Sequence, residues 1–485
     1  MKNNKIYELL STFSREELRG FEKFISSVYF NRGRNYAPLL KELKKFHPGF
    51  DNKKINNEYL YSRLYPGRRY NDQVIRNMFT GLTRIAKDYI VYTSSVRDKT
   101  NYYALLANEF QNRGLIKLAE KYVTYGKNEL NKNAVKDKNY FRQLFELYRV
   151  SREINSEKND TKGNINSLSN ESTYFLFYII MEMSRHLEEM TVLRHNFNAD
   201  FTGNLIYSFI ANLNFDNLLE FSREKSVEDR TLLELYCTNI QLQINDRSEV
   251  LFEKLRALLK QNFNVLSRWG KYNLFTCLQN ACIRLQAVNE EKYSRMLLEV
   301  YSDQLKAGLY SESEGSPLSQ NIFRNIIINA LKLSEYDWTE QFIKQYIQKL
   351  PAGSKENMYN FSYSLLNFEK RNFENALNYI IKVKYDTFVF KLDIKVLMLK
   401  IYHELNYTEQ EISMLDTFRH FILENVSISE FIKLFHLNFV KFLHEIIKVK
   451  NGSKEINPNK LKKEIINASV RGKEWLLEKT AELID

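Results

Sequence analysis

The sequence predicts an all-α fold: a compact N-terminal helical unit followed by a solenoid-like stack of α-α hairpins. Three observations predict it. The 485 residues contain only 15 Gly and 6 Pro, roughly 4% against a usual ~12% for these two chain breakers. Apolar residues recur at helical spacing over most of the chain. No segment shows sustained strand alternation, and no hairpin signal occurs. A sandwich or barrel would need far more turn residues. Hydrophobic residues at 44% and aromatic residues at 14% supply enough core to exclude global disorder.

The first element is a helix opening at Ser14, where Ser14 and Glu17 form a capping box and Leu18, Phe21, Phe24, Ile25 and Val28 share one face. The loop Asn31-Arg-Gly-Arg-Asn35 ends it. A second helix spans about Ala37 to Phe46 and stops at His47-Pro48-Gly49. A third covers Asn57 to Leu64 and stops at Pro66-Gly67. A fourth starts near Asp72 and places Val74, Ile75, Met78, Phe79, Leu82, Ile85, Ala86 and Tyr89 on one face. Residues 1–95 are read as a domain of their own.

Helical patterns continue from residue 96 to the C-terminus, interrupted by polar or breaker segments at 155–172, 311–319, 351–355 and 451–459. The first is poor in apolar residues and is expected to be a mobile loop. Further capping boxes are expected at Thr408/Glu411 and Ser427/Glu430. The longest apolar run, Tyr174 to Met181, is far short of the roughly 20 residues of a membrane span. It is read as a buried helix turn.

Whether the helices repeat is decided by residues 101–127. There Tyr103, Leu106, Ala107, Phe110, Gly114, Ala119, Val123 and Gly126 alternate large and small side chains as two closely crossing helices require. This spacing resembles the tetratricopeptide repeat. A second match has Ser364, Phe373, Ala376 and Ile380 in the corresponding places. A third, beginning near Asn321, fits at Trp338 and Glu340 but has Gln341 where the family has Ala. More broadly, SREELRGFEKFISSVYFNR, LYSRLYPGRRYNDQVIRNM, NFEKRNFENALNYIIKV, LMLKIYHEL, LDTFRHFI and EWLLEK together resemble a family of large bacterial helical proteins with no assigned activity. That resemblance implies a tetratricopeptide-like architecture and no chemistry. Residues 96–485 hold at most about eleven 34-residue hairpins, with a capping helix around Trp475, Leu476 and Leu477.

Three cysteines, Cys237, Cys277 and Cys282, make no disulfide framework, and the N-terminus lacks the apolar core of a signal peptide. A reducing cytoplasm is the expected compartment. The net charge is +12, and residues 1–100 carry 20 Lys plus Arg against 10 Asp plus Glu. The excess basicity therefore sits at one end, as a polyanion-binding head would have it. A chain rich in Asn, Lys, Ile and Tyr from AT-rich coding would show part of the same bias.

No catalytic or metal constellation is found. His403-Glu404 and His444-Glu445 begin HExxH-like strings, but Tyr407 and Lys448 occupy the place of the second His. Glu182, His186 and Glu189 share a helix face as a polar stripe, without the second Glu-x-x-His of a di-iron bundle. The cysteines read as small buried hydrophobes. No phosphate cradle or nucleophile elbow occurs. A non-enzymatic protein without cofactor or metal is expected.

Two binding surfaces are expected. Carried over from the tetratricopeptide resemblance, the inner helix face is Asn101, Ala104, Asn108, Gln111 and Asn112, whose amides can pair with a peptide backbone. This makes the protein a scaffold or adaptor for a protein or peptide partner. The alternative is a nucleic-acid-binding or regulatory protein. Arg32, Arg34, Arg63, Arg68 and Arg69 are interleaved with Tyr59, Tyr61, Tyr65 and Tyr70, a mixture that suits phosphates and stacked bases. The competing expectation is that those tyrosines pack and the arginines are solvated or paired.

Overall fold

The computed structural model describes residues 5–30, 34–50, 55–132, 135–197, 199–222, 226–245, 247–311, 313–384, 388–425, 429–453 and 455–484. Every regular element among the described residues is helical, as expected. The chain divides into two compact units, residues 1–133 with 143–172, and residues 134–142 with 173–485.

The first unit opens with α1 (Lys5–Ser11), α2 (Arg15–Ile25), α3 (Ala37–Lys44), α4 (Asn57–Leu64) and α5 (Asp72–Arg97). The capping box forms as the sequence dictates: the Glu17 amide donates to Ser14 Oγ at 3.1 Å and the Ser14 amide to Glu17 Oε2 at 2.8 Å. Asn56 and Asn71 cap α4 and α5 in the same sense, each worth about 1 kcal/mol. These helices share one core running from Ile6 to Tyr89. Two tyrosines enter it over helical glycines. The Tyr89 hydroxyl donates to the Glu17 carbonyl at 3.0 Å, across a backbone where a side chain on Gly20 would collide with that hydroxyl. Tyr36 lies as closely over Gly81.

The boundary expected at residue 95 falls inside this unit. Asp98 is the sole residue between α5 and α6 (Lys99–Asn112), and its carboxylate caps α6, so no linker exists there. α7 (Ile116–Asn131) packs back on α6, with Ala107, Ala119 and Val123 buried at the crossing. α8 (Lys138–Glu157) follows. The segment expected as a loop at 155–172 is instead largely helical, because α9 runs Thr161–Asn196. Polar contacts hold it in place of apolar ones. Asp160 accepts from the Gly163 amide at 2.9 Å, Asn155 donates to buried Ser167 at 3.1 Å, and Arg152 pairs with Glu171 at 2.7 Å.

The second unit contains α10 (Leu205–Ala211), α11 (Phe215–Phe221), α12 (Val227–Ile244), α13 (Glu249–Gln261), α14 (Arg268–Leu285), α15 (Glu290–Lys306), α16 (Gln320–Lys332), α17 (Tyr336–Tyr346), α18 (Lys355–Glu369), α19 (Phe373–Ile380), α20 (Phe388–Glu404), α21 (Thr408–Glu424), α22 (Glu430–Lys450), α23 (Pro458–Asn467) and α24 (Lys473–Ala481). From α12 to α21 these are antiparallel pairs, each packed on the next, around one continuous core. Among the described residues the pairs are fewer than the eleven the length allows; α9 alone takes 36 residues. In α24, Trp475 and Leu476 are buried, and Trp475 Nε1 donates to Glu404 at 2.6 Å.

Five of the hairpin turns close identically. Gly114, Asn159, Ser334, Arg371 and Asn406 all have φ between 56 and 72°. In each, the next amide bonds the carbonyl five residues back, as in Leu115 to Phe110 at 2.8 Å and Asn372 to Asn367 at 2.8 Å. This is the Schellman closure of a helix C-terminus. In four of the five, the residue five positions after the turn residue is sealed against the first helix: Ala119, Thr339, Ala376 and Glu411. The third repeat therefore uses Thr339 at the crossing, and Gln341 is exposed. Thr339 is tolerated because its hydroxyl donates to the Glu335 carbonyl at 2.7 Å.

Two expected caps differ. Thr408 begins α21 without a side-chain cap, and Glu411 turns into the core instead of back to the terminus. Ser427 lies outside the described residues, and Ser429 caps α22.

Candidate functional site

The amide face of α6 is only partly open. Asn101 and Asn108 are half-buried, as is Ala104, while Asn112 is exposed. Gln111 is committed, donating to Glu157 Oε1 at 2.8 Å, which orders that end of the face.

Of the basic residues, Arg32 lies outside the described residues. Arg34 precedes α3 and is exposed; Arg63 on α4 pairs with Glu42 at 3.7 Å. Arg68 and Arg69 are exposed in the turn before α5. Three of the interleaved tyrosines, Tyr59, Tyr61 and Tyr65, are buried or half-buried, and Tyr70 is exposed. Tyr61 is buried against Tyr65 and Tyr70, with ring centroids 5.0 and 5.5 Å away, and Tyr59 meets Phe46 edge-on. Tyr70 donates to Asp72 at 2.7 Å, a bond that holds the Asp72 carboxyl below its ordinary range. Rings packed edge-on or tilted against one another offer few free faces to bases.

The HExxH-like strings resolve separately. His403 is buried with Nδ1 2.9 Å from Glu411, whereas His444 is exposed. Among the described residues no three His, Cys, Asp or Glu side chains are grouped to hold a metal ion. All three cysteines are buried and free, with thiols pushed above their ordinary value by burial. Among the described residues no helix is long and apolar enough to cross a membrane.

What the structure brings together is a cleft in the second unit, between α9 and α10, of about 750 Å³. Its apolar wall is Tyr178, Ile179, Met183, Leu205, Ile206 and Phe209. The run Tyr174 to Met181 is thus not wholly buried: Phe177, Ile180 and Met181 face the core, Phe175 and Leu176 are exposed, and Tyr178 and Ile179 line the cleft. α10 holds two apolar side chains outward, Leu205 at 84% and Phe209 at 56% exposure, while Ile210 anchors it. Asn204 starts α10 by accepting from the Ile206 amide at 2.9 Å.

The polar stripe on α9 forms one edge of the cleft. Arg185 is clamped between Glu182 at 3.0 Å and Glu189 at 2.7 Å, and its Nη2 lies 2.6 Å from His186 Nε2. Burial alone would raise the Glu182 carboxyl, but Lys138 and Arg185 together hold it below its ordinary value. The edge is therefore charged, internally paired and fixed in orientation. Sequence reasoning singled out the stripe and missed the apolar wall. The signal for it was LIYSFIA at 205–211, whose apolar residues occupy more of the helix circumference than one core contact can bury.

No family model matches this chain, and no curated protein matches it. Among solved structures, the crystal structure of yeast Tom70 aligns over 80% of this chain and 86% of that one, with 14% identity and a TM-score of 0.25. A likeness at that level bears on neither fold nor function.

Proposed function

We propose that the protein is a non-enzymatic scaffold or adaptor that takes up a segment of a protein partner, in the cytoplasm, and that the cleft between α9 and α10 receives it. The exposed apolar pair Leu205 and Phe209 over a cleft of about 750 Å³ carries this reading. Apolar surface held outward by a capped helix costs free energy that a partner's side chains recover, about 25 cal/mol per Å² covered. The open cleft suits an amphipathic helix presenting apolar residues at i, i+3 or i+4 and i+7. The amide face at Asn101, Asn108 and Asn112 is a further polar contact surface for an extended segment.

Selection of helical peptides from a displayed library against the full chain tests this. The expected outcome is enrichment of peptides with that apolar spacing, whose binding is lost in Phe209→Asp. Failure to enrich, or binding indifferent to Phe209→Asp, overturns the reading.

A second reading rests on Arg68 and Arg69, exposed in a turn and in no ion pair among the described residues. If the basic end docks on nucleic acid, duplex binding by the full chain falls steeply with salt, and neutralising both arginines flattens that slope. No binding at low salt removes this alternative.

A further inference from the structure

Beside the apolar cleft, and sharing Arg185 with it, a narrow pocket of about 40 Å³ enters the second unit between α9, α12 and α14. Its mouth is at Arg185 and Glu189, and its floor holds Glu188 and Asn239. Glu188 is 8% exposed and Asn239 is 2% exposed. Glu188 Oε1 accepts from Asn280 Nδ2 at 2.5 Å, but Oε2 has no partner. Asn239 spends its Nδ2 on Ser184 Oγ at 2.7 Å and Cys277 Sγ at 3.4 Å, leaving Oδ1 without a donor. Leaving a buried amide oxygen unsatisfied is costly, and a buried carboxylate more so, so the pocket calls for a donor.

A cation answers this carboxylate better than the neutral Cys277 thiol beside it. Among the described residues Glu188 is in no ion pair, and the nearby guanidinium of Arg185 is already shared between Glu182 and Glu189. The remaining walls select its kind. Tyr236 and Trp269 present aromatic surface, which attracts an organic cation; Trp269 already has the Lys138 ammonium 4.9 Å from its ring centroid. The Cys277 thiol is held well above its ordinary value by burial and by Glu188, so it is neutral and no thiolate ligand for a metal. Asn273 Nδ2 is also without a partner, and a half-turn of that amide presents its oxygen instead.

We propose that this pocket binds a primary ammonium group, with Glu188 Oε2 and Asn239 Oδ1 accepting its protons and Trp269 and Tyr236 flanking the attached carbon. The volume suits it: at ~10–15 Å³ per water-sized centre, the pocket holds an –NH₃⁺ and the one or two carbons behind it. The group is either a free small amine or the end of a lysine side chain. The site does not depend on the α9/α10 cleft being a docking surface.

Calorimetric titration of the full chain at constant ionic strength tests this with methylammonium, N-acetyl-lysinamide, tetramethylammonium and potassium. Saturable binding of methylammonium, weakened at least tenfold by Glu188→Gln and absent for tetramethylammonium and potassium, is expected. Binding of N-acetyl-lysinamide as well shows that the mouth admits a lysine side chain; methylammonium alone identifies a small-amine site. Trp269→Leu, which leaves the carboxylate in place, weakens binding without abolishing it and serves if Glu188→Gln misfolds. Equal responses to all four cations, unchanged binding in Glu188→Gln, or no saturable binding overturns the proposal and leaves a pocket of ordered water.

Discussion

Glu411 Oε1 lies 2.9 Å from His403 Nδ1, with both side chains sealed inside the hairpin of α20 and α21. Glu411 occupies the crossing position that Ala119 and Ala376 fill in other hairpins. A polar side chain there is tolerated because the imidazole answers it. Glu411→Ala therefore does more than restore the common residue, since it strands His403. The expected loss is about 1–3 kcal/mol in the urea midpoint. His403→Leu combined with Glu411→Ala recovers most of it, and a double variant no better than Glu411→Ala refutes the pairing.

Gly20 is required by Tyr89 rather than by its own helix. Gly20→Ala forces a methyl into the Tyr89 hydroxyl and should destabilise by about 1–3 kcal/mol. In a Tyr89→Phe background the collision is gone, and the same change should stabilise by up to about 1 kcal/mol through helix propensity. A double-mutant cycle reads this reversal of sign.

The repeated turns predict opposite outcomes for two simple changes. Ser334 holds φ at 59°, a left-handed conformation costing a residue with a Cβ roughly 1 kcal/mol. Ser334→Gly should stabilise by about 0.5–1 kcal/mol, and Gly114→Ala should destabilise by about as much. Thermal midpoints that move in the same direction contradict the common closure.

Lys127 provides a pH signature. Its ammonium sits 3.6 Å from the centroid of the Tyr148 ring, partly buried, and burial lowers its pKa to about 8. Between pH 8 and about 10.4 the unfolded chain binds the proton that the folded chain has lost, so this group's contribution to stability rises with pH. Below pH 8 both states are protonated and the penalty is complete. The advantage of Lys127→Met should then be greatest below pH 8 and shrink by roughly 1 kcal/mol per unit above it. Equilibrium unfolding across pH 7–10 checks this; a pH-independent difference excludes it.

Helix identity was legible wherever one face was apolar. The Ser14–Glu17 box, the helix at Asn57–Leu64 and the face from Ile75 to Tyr89 stand where periodicity puts them. The start of α9 was not legible, because its contacts are made by Asn155, Ser167, Arg152 and Glu171 and leave no apolar period. The crossing of the third repeat falls at Thr339, two residues before Gln341, because Ser334 takes the left-handed turn conformation that Gly114 takes in the first and offers no Gly to mark it. The polar stripe on α9 was visible in sequence. The pocket floor was not, since Glu188 and Asn239 lie on helices separated by α10 and α11 and only packing brings them together.

Two aromatic hydroxyls in the head occupy space that a single hydrogen leaves open: Tyr89 over Gly20 and Tyr36 over Gly81. In neither pair can the glycine be enlarged while its tyrosine stays. A lineage that enlarges either glycine must first trim the ring facing it, so in descendants of this sequence the two positions of each pair should change in step, with glycine surviving only as long as its tyrosine does.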